Sequence, residues 1–145
     1  MTPRVRAIHP VDDANQVVSI EGGRRQYRRQ PCGGCPWRVD QTGSFPAEAF
    51  RISAPTAYDL SDRMFGCHES GTSTPATSAG FLLRGANHNT AVRMRVSLGE
   101  FDLTSISDGG HELHDSYRDM AEANGVDPDD HVLRACRDSY EREGR

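Results

Sequence analysis

Two cysteines stand three positions apart in the run Gln30-Pro31-Cys32-Gly33-Gly34-Cys35-Pro36-Trp37-Arg38, and no other stretch limits the fold so sharply. On a tight turn, residues i and i+3 can direct both sulfurs at one ion, and paired glycines let the backbone bend at little steric cost. Amides left over in such a turn can hydrogen-bond the thiolates and offset their charge. A third sulfur, Cys67, follows after 31 intervening residues and is itself followed by His68.

A tetrahedral site needs a fourth donor, and several residues compete for that place. His68 has the right chemistry, although adjacent side chains converge on one ion only with backbone strain. His88 lies in a polar turn and is sterically freer. Cys136 falls on an apolar stripe near the C-terminus and reads as a small buried hydrophobe. Zinc is the simplest match to three or four N/S donors in a small domain. Pro36 directly after Cys35 matches the proline that follows cluster cysteines in ferredoxins, which keeps a four-iron four-sulfur or other iron–sulfur cluster in play. A thioredoxin-like dithiol would need the CxxC to open a helix within a βαβ unit, and no parallel-strand pattern surrounds it. A chain that holds no group at all is the third alternative.

The 145-residue length suits one domain. Apolar residues make up 35% of the chain, against 14 glycines and 8 prolines, which predicts a thin core rich in turns. Small cores often lean on a metal, a disulfide or a partner. No apolar run is long enough to span a bilayer and the N-terminus lacks a secretory segment, so the expected location is the cytoplasm, or a host's cytoplasm for a phage-encoded chain. There, paired cysteines are more often ligands or redox groups than disulfides.

Every one of the 17 basic residues is arginine, and charge is unevenly placed. Residues 1–38 carry seven arginines against three acids, whereas residues 100–145 carry five against thirteen. A basic front can pair with the acidic back or meet phosphate. The run Arg24-Arg25-Gln26-Tyr27-Arg28-Arg29 offers guanidinium forks and one ring on which a base can stack. The alternative is a solvated hairpin whose arginines pair with the acidic half. On an alternating strand, Arg25, Tyr27 and Arg29 share one side.

Local patterns predict an α+β chain: a small N-terminal β-hairpin or sheet with the CxxC loop, packed on three to five short helices. Residues 1–15 read as a flexible lead-in and 16–145 as a single small domain, divided into a hairpin and cysteine-motif part (16–99) and an acidic helical part (100–145). The hairpin is expected across Glu21-Gly22-Gly23. Helices are expected near 46–53, with Ser44 as a cap and Pro46 in the first turn, and over Asn89–Gly99. The apolar window Ser78–Gly85 fits a short helix or a strand. The clearest helix runs from His111 to Asn124-Gly125, its stripe made of Leu113, Tyr117, Met120 and Ala121. A last helix follows Asp127-Pro128 and contains Val132, Leu133, Cys136 and Tyr140. His111 and His114 sit at i,i+3 on the clearest helix, a spacing that can hold a metal, but an exposed acidic first turn is the better reading.

Four motifs together resemble an uncharacterised family of actinobacteria and their phages. These are Pro31–Arg38 (P-C-x-x-C-P-W-R), Phe65-Gly66-Cys67-His68 (F-x-C-H), Ser78-Ala79-Gly80-Phe81-Leu82, and Asn87-His88-Asn89 ahead of Val92-Arg93. The resemblance spans roughly 27–125 and implies a zinc or iron–sulfur site of four cysteines, the fourth of which is Ser78 in this chain. It implies a site but no reaction.

No Gly-rich phosphate loop, G-x-S-x-G or HExxH is present, and no nucleophile, base and oxyanion hole assemble, so the residues do not point to catalysis. The expectation is a cytoplasmic, zinc-finger-like accessory or regulatory protein. Its metal would be held by Cys32, Cys35, Cys67 and His68, and nucleic acid or a host protein would be its partner. An iron–sulfur or dithiol redox protein, or a metal-free interaction protein, are the alternatives.

Overall fold

The computed structural model describes the backbone of residues 4–10 and 16–21, and residues 27–67 and 76–137 in full. The fold is mixed and dominated by helices. Strand β1 (Arg4–Pro10) pairs antiparallel with β2 (Gln16–Glu21), and β2 pairs with the two-residue β3 (Met64–Phe65). Four short helices accompany them: α1 (Ala47–Ser53), between β2 and β3 in the chain, and then α2 (Ala79–Arg84), α3 (Thr90–Ser97) and α4 (Tyr117–Ala123). Between residues 27 and 137, β3 is the one strand among the described residues. No helix among them is long and apolar enough to cross a membrane.

The helices begin where the sequence supplies acceptors for the orphan amides of a first turn. Ser78 Oγ accepts from Phe81 N–H, Asn89 Oδ1 from Val92 N–H, and Ser116 Oγ from Asp119 N–H. Pro46, not Ser44, occupies the N-cap of α1. Helix α4 ends at Asn124, after which Gly125 adopts φ +98°, a left-handed conformation that favours glycine.

Three expectations change. Residues 4–10, read as part of a lead-in, form β1, which pairs with β2. The turn of the expected hairpin, residues 22–26, lies outside the described residues. The helix expected from His111 starts only at Tyr117. Residues 112–114 are instead spent on residues 37–39: Val39 N–H donates to Glu112 O and His114 N–H to Trp37 O. A segment whose backbone groups serve a neighbouring strand cannot also close helical turns. His111 and His114 therefore share no helix face. Finally, the last expected helix is a single 3-10 turn, His131–Leu133. Cys136 bridges to Tyr58, Arg137 N–H donates to Ala57 O, and the Arg118 guanidinium takes up the carbonyls of Leu133 and Cys136. Tyr140 lies outside the described residues.

The core joins these pieces. Trp37, Tyr117, Phe50, Phe81, Met64, Met120 and Leu133 are its largest fully buried side chains. Burial of such a side chain contributes about 1.5–3 kcal/mol. Trp37 stands at the centre, edge-on to Phe65 at 5.9 Å and to Tyr117 at 6.0 Å between ring centroids. It ties the residues after the CxxC to β3 and α4.

Candidate thiol site

The CxxC closes as a turn. Cys35 N–H donates to Cys32 O at 3.1 Å, and Arg38 N–H to Cys35 O at 3.0 Å. Arg38 then folds back over the turn: Nη1 donates to Cys32 O at 3.2 Å and Gly33 O at 3.0 Å. The other edge of that guanidinium is held by Asp40, with Nε to Oδ1 at 2.9 Å. This places a fixed cation beside two cysteines, and the Asp40 hydrogen bonds hold its pKa above the ordinary arginine value.

The second segment is a short antiparallel ladder. Cys67 N–H donates to Ala76 O at 2.8 Å and Ser78 N–H to Phe65 O at 2.9 Å, around the Gly66–Thr77 bridge. Trp37 lies along α2 and couples the ladder to the turn. A methyl group at Gly80 would stand 2.5 Å from Trp37 Cβ, and one at Gly85 2.6 Å from Cη2. Both spacings lie inside van der Waals contact, so the indole reaches α2 only because these two positions lack side chains.

Cys32, Cys35, Cys67 and Ser78 are all buried, and none of the cysteines forms a disulfide. Ser78 Oγ lies 4.0 Å from Cys35 Sγ. The Cys35 thiol is pulled down to about 7. A hydrogen bond with Cys32 is the largest cause, opposed by burial; the Trp37 amide and the Ser78 hydroxyl lower it further, and Cys67 opposes through charge repulsion. Cys32 thus reaches Cys35 by contact and Cys67 by field. Among the described residues, no three His, Cys, Asp or Glu side chains are drawn in to metal-ligand spacing.

The competing fourth donors are distributed around the molecule. His68 lies outside the described residues. His88 is buried with Nε2 3.3 Å from Thr56 O. Cys136 is buried as expected, its thiol 3.9 Å from Ala54 O and 3.8 Å from Val132 O. Ser78 is the one of these residues seen at Cys35.

Of the arginine run, Arg24 and Arg25 lie outside the described residues. Tyr27 and Arg29 share a side, as an alternating strand requires, with the Arg29 guanidinium 4.3 Å above the Tyr27 ring. Both contact the chain's own 101–105 segment: Tyr27, half-buried, packs on Phe101 at 4.7 Å and accepts from Asp102 N–H, while Arg29 donates to Ser105 Oγ. Arg28 and Arg29 are both exposed.

Ser78, which the motif resemblance puts at the fourth position of the site, does lie beside Cys35; sequence reasoning missed the Arg38 clamp and the role of Gly80 and Gly85. Only the five-residue spacing of those glycines around an apolar run, in a chain with a single tryptophan, hinted at the last of these.

Neither the curated proteins nor the solved structures give a match to this chain. The model of a family of unknown function, DUF6283, matches residues 27–137, a span that holds all four cysteines, Ser78 and the Trp37 core. The chain belongs to the DUF6283 family, whose function is unknown.

Proposed function

We propose that Cys32, Cys35 and Cys67 bind a thiophilic metal ion, zinc in the first instance, whose work is to fasten the CxxC turn to the 65–78 ladder. The supporting observation is the environment of Cys35: a buried thiol with a second thiol in contact, a third within its field, and a backbone amide turned on its sulfur. Amide-to-sulfur hydrogen bonds and a neighbouring guanidinium are what a thiolate needs in an interior that otherwise penalises charge. Soft thiolate donors select zinc, copper(I) or iron–sulfur groups over hard cations. The motif resemblance to actinobacterial and actinophage proteins supports the same reading. A small accessory protein in a cytoplasm, fastened by metal and acting through a partner, follows from it.

A redox dithiol is the second reading, favoured by the direct Cys32–Cys35 hydrogen bond and the lowered Cys35 thiol. One experiment separates the two: elemental analysis and an optical spectrum of protein purified without oxygen. Near-stoichiometric zinc without visible absorbance supports the structural metal. Iron with sulfide and a broad visible band moves the assignment to a cluster. A metal-free protein whose Cys32 and Cys35 cycle between dithiol and disulfide establishes the second reading.

A further inference from the structure

We propose that the outer face of α3, with Leu60 and Leu103 at its margins, is a docking surface for a short amphipathic segment of another protein, one whose apolar anchors are flanked by carboxylates. It supplies the surface for the partner invoked above and stands with or without a metal at the thiols. Among the described residues, the large apolar side chains left exposed are Leu60, Met94, Val96, Leu98 and Leu103, and all lie on α3 or against it. With about 3.6 residues per turn, Met94 and Leu98 fall on the side of α3 opposite the buried Val92. Val96 and Arg93 turn to the next side, where with Leu82, Val92 and Leu103 they line a groove of about 240 Å³. Leu60 joins the patch at the head of the helix: its carbonyl accepts from Thr90 Oγ1 at 3.0 Å, and Ser61 O accepts from Thr90 N–H at 2.8 Å. It is 70% exposed and held at φ +59°, a left-handed conformation that disfavours leucine. The side chain gains no burial in return for that backbone, which is the pattern of a contact residue.

Chemistry selects the occupant. The groove is smaller than the sites of about 300–1,000 Å³ that take small molecules, and it suits a peptide side chain. Its lining holds a single charged group, Arg93, whose guanidinium has no carboxylate partner among the described residues. Arg95 is the other charge of α3, and the helix has no acid. A second copy is a poor fit, because a two-fold contact through α3 must be self-complementary and this one opposes arginine to arginine. A bilayer surface can cover Leu60 and Leu98 but leaves the groove beside Val96 unfilled. A segment with Asp or Glu beside its apolar anchors pairs with Arg93 as it covers Met94, Leu98 and Leu60.

Selection of a displayed random-peptide library on the full chain, followed by fluorescence anisotropy with the recovered peptides, tests this. Those peptides should combine Leu, Phe or Trp with Asp or Glu, and should bind more weakly as salt rises. Met94→Glu should weaken them about tenfold or more, the scale of one interface anchor. Leu60→Gly should weaken them too while leaving the melting temperature at or above that of wild type, because glycine suits φ +59°. Arg93→Glu should turn the preference toward peptides in which Lys replaces the acid. Hydrogen exchange of the wild type should show residues 90–98 protected when peptide is added, a readout that needs no variant. No enrichment, enriched peptides without acid, or binding indifferent to all three substitutions would overturn the proposal. So would a wild-type dimer that Met94→Glu makes monomeric in sedimentation, which assigns the face to a second copy. Capture by phosphatidylserine vesicles that Met94→Glu abolishes would overturn it in favour of a membrane. Zinc content should be the same in all three variants, so failure here leaves the metal reading untouched.

Discussion

Trp37 fills the space in which a side chain at Gly80 would have to stand, with its Cβ 2.5 Å from the position of a methyl group there. The contact joins the residue two places after Cys35 to the residue two places after Ser78. It sets how closely the CxxC turn approaches the ladder. The indole cannot yield cheaply, since it is fully buried between Phe65 and Tyr117. Gly80→Ala is therefore expected to destabilise the fold by about 1–3 kcal/mol, the usual cost of overpacking, measured as a lower urea midpoint. Trp37 is the chain's single tryptophan. Its emission should move to the red as the ring is displaced, and unchanged emission with unchanged stability would show that the contact does not constrain the site.

Tyr117 holds the other side of that tryptophan. Its fully buried hydroxyl donates to Phe50 O and lies 2.6 Å from Ser53 Oγ, and burial raises its pKa well above the ordinary tyrosine value. Tyr117→Phe keeps the ring contacts but removes the hydroxyl that donates to the buried Phe50 carbonyl. A loss of about 1–3 kcal/mol follows from such an unsatisfied group. When Ser53 is removed, the Tyr117 hydroxyl keeps its bond to Phe50 O, so Ser53→Ala should cost less than Tyr117→Phe in the same denaturant series.

Much of this architecture was legible where the signal is local. The i,i+3 cysteines, the apolar stripe of α4 and the helical windows at 47–53 and 90–97 all rest on neighbours in sequence, whereas the apolar window at 79–84, which fits a helix or a strand, resolves as a helix. What escaped depends on partners far along the chain. Nothing near His111 announces that residues 112–114 will pair with 37–39, which shortens α4, and nothing near Val132 announces the pull of the 54–57 turn on Cys136 and Arg137. The thiol site divides the same way. The CxxC spacing gave Cys32 and Cys35, and the motif resemblance pointed to Ser78, whose hydroxyl lies beside Cys35; the guanidinium over that turn comes from folding, and residue type alone does not assign it.

His114 makes stability depend on pH. Its ring is buried, with Nε2 3.3 Å from Thr42 Oγ1, and burial lowers its pKa below the ordinary histidine value. Asp119, Asp115 and Glu112 face it and oppose that shift without cancelling it. The unfolded chain therefore takes up this proton more readily than the native one. By linkage, the contribution is complete above about pH 6.5 and is lost as pH falls below that value toward the depressed native pKa. The melting temperature of wild type should drop more between pH 7.5 and 5.5 than that of His114→Gln. Parallel curves for the two proteins would remove His114 as the cause.

Cys67 and Cys136 provide the sharpest internal comparison for the metal reading, because both are buried thiols and only one acts on Cys35. Cys136 points at the carbonyls of Ala54 and Val132, so Cys136→Ser exchanges one weak donor for a stronger one in nearly the same volume. Its metal content should equal that of wild type, with stability changed by about 1 kcal/mol, the scale of one buried hydrogen bond. Cys67→Ser removes a ligand and should lower bound zinc to background. A ligand that binds only the native state adds stability by mass action. A strong chelator should accordingly lower the melting temperature of wild type and Cys136→Ser, and leave that of Cys67→Ser unchanged. Equal zinc in the two variants, or a chelator effect that ignores Cys67, would show that any metal on this chain is held somewhere other than the Cys35 cluster.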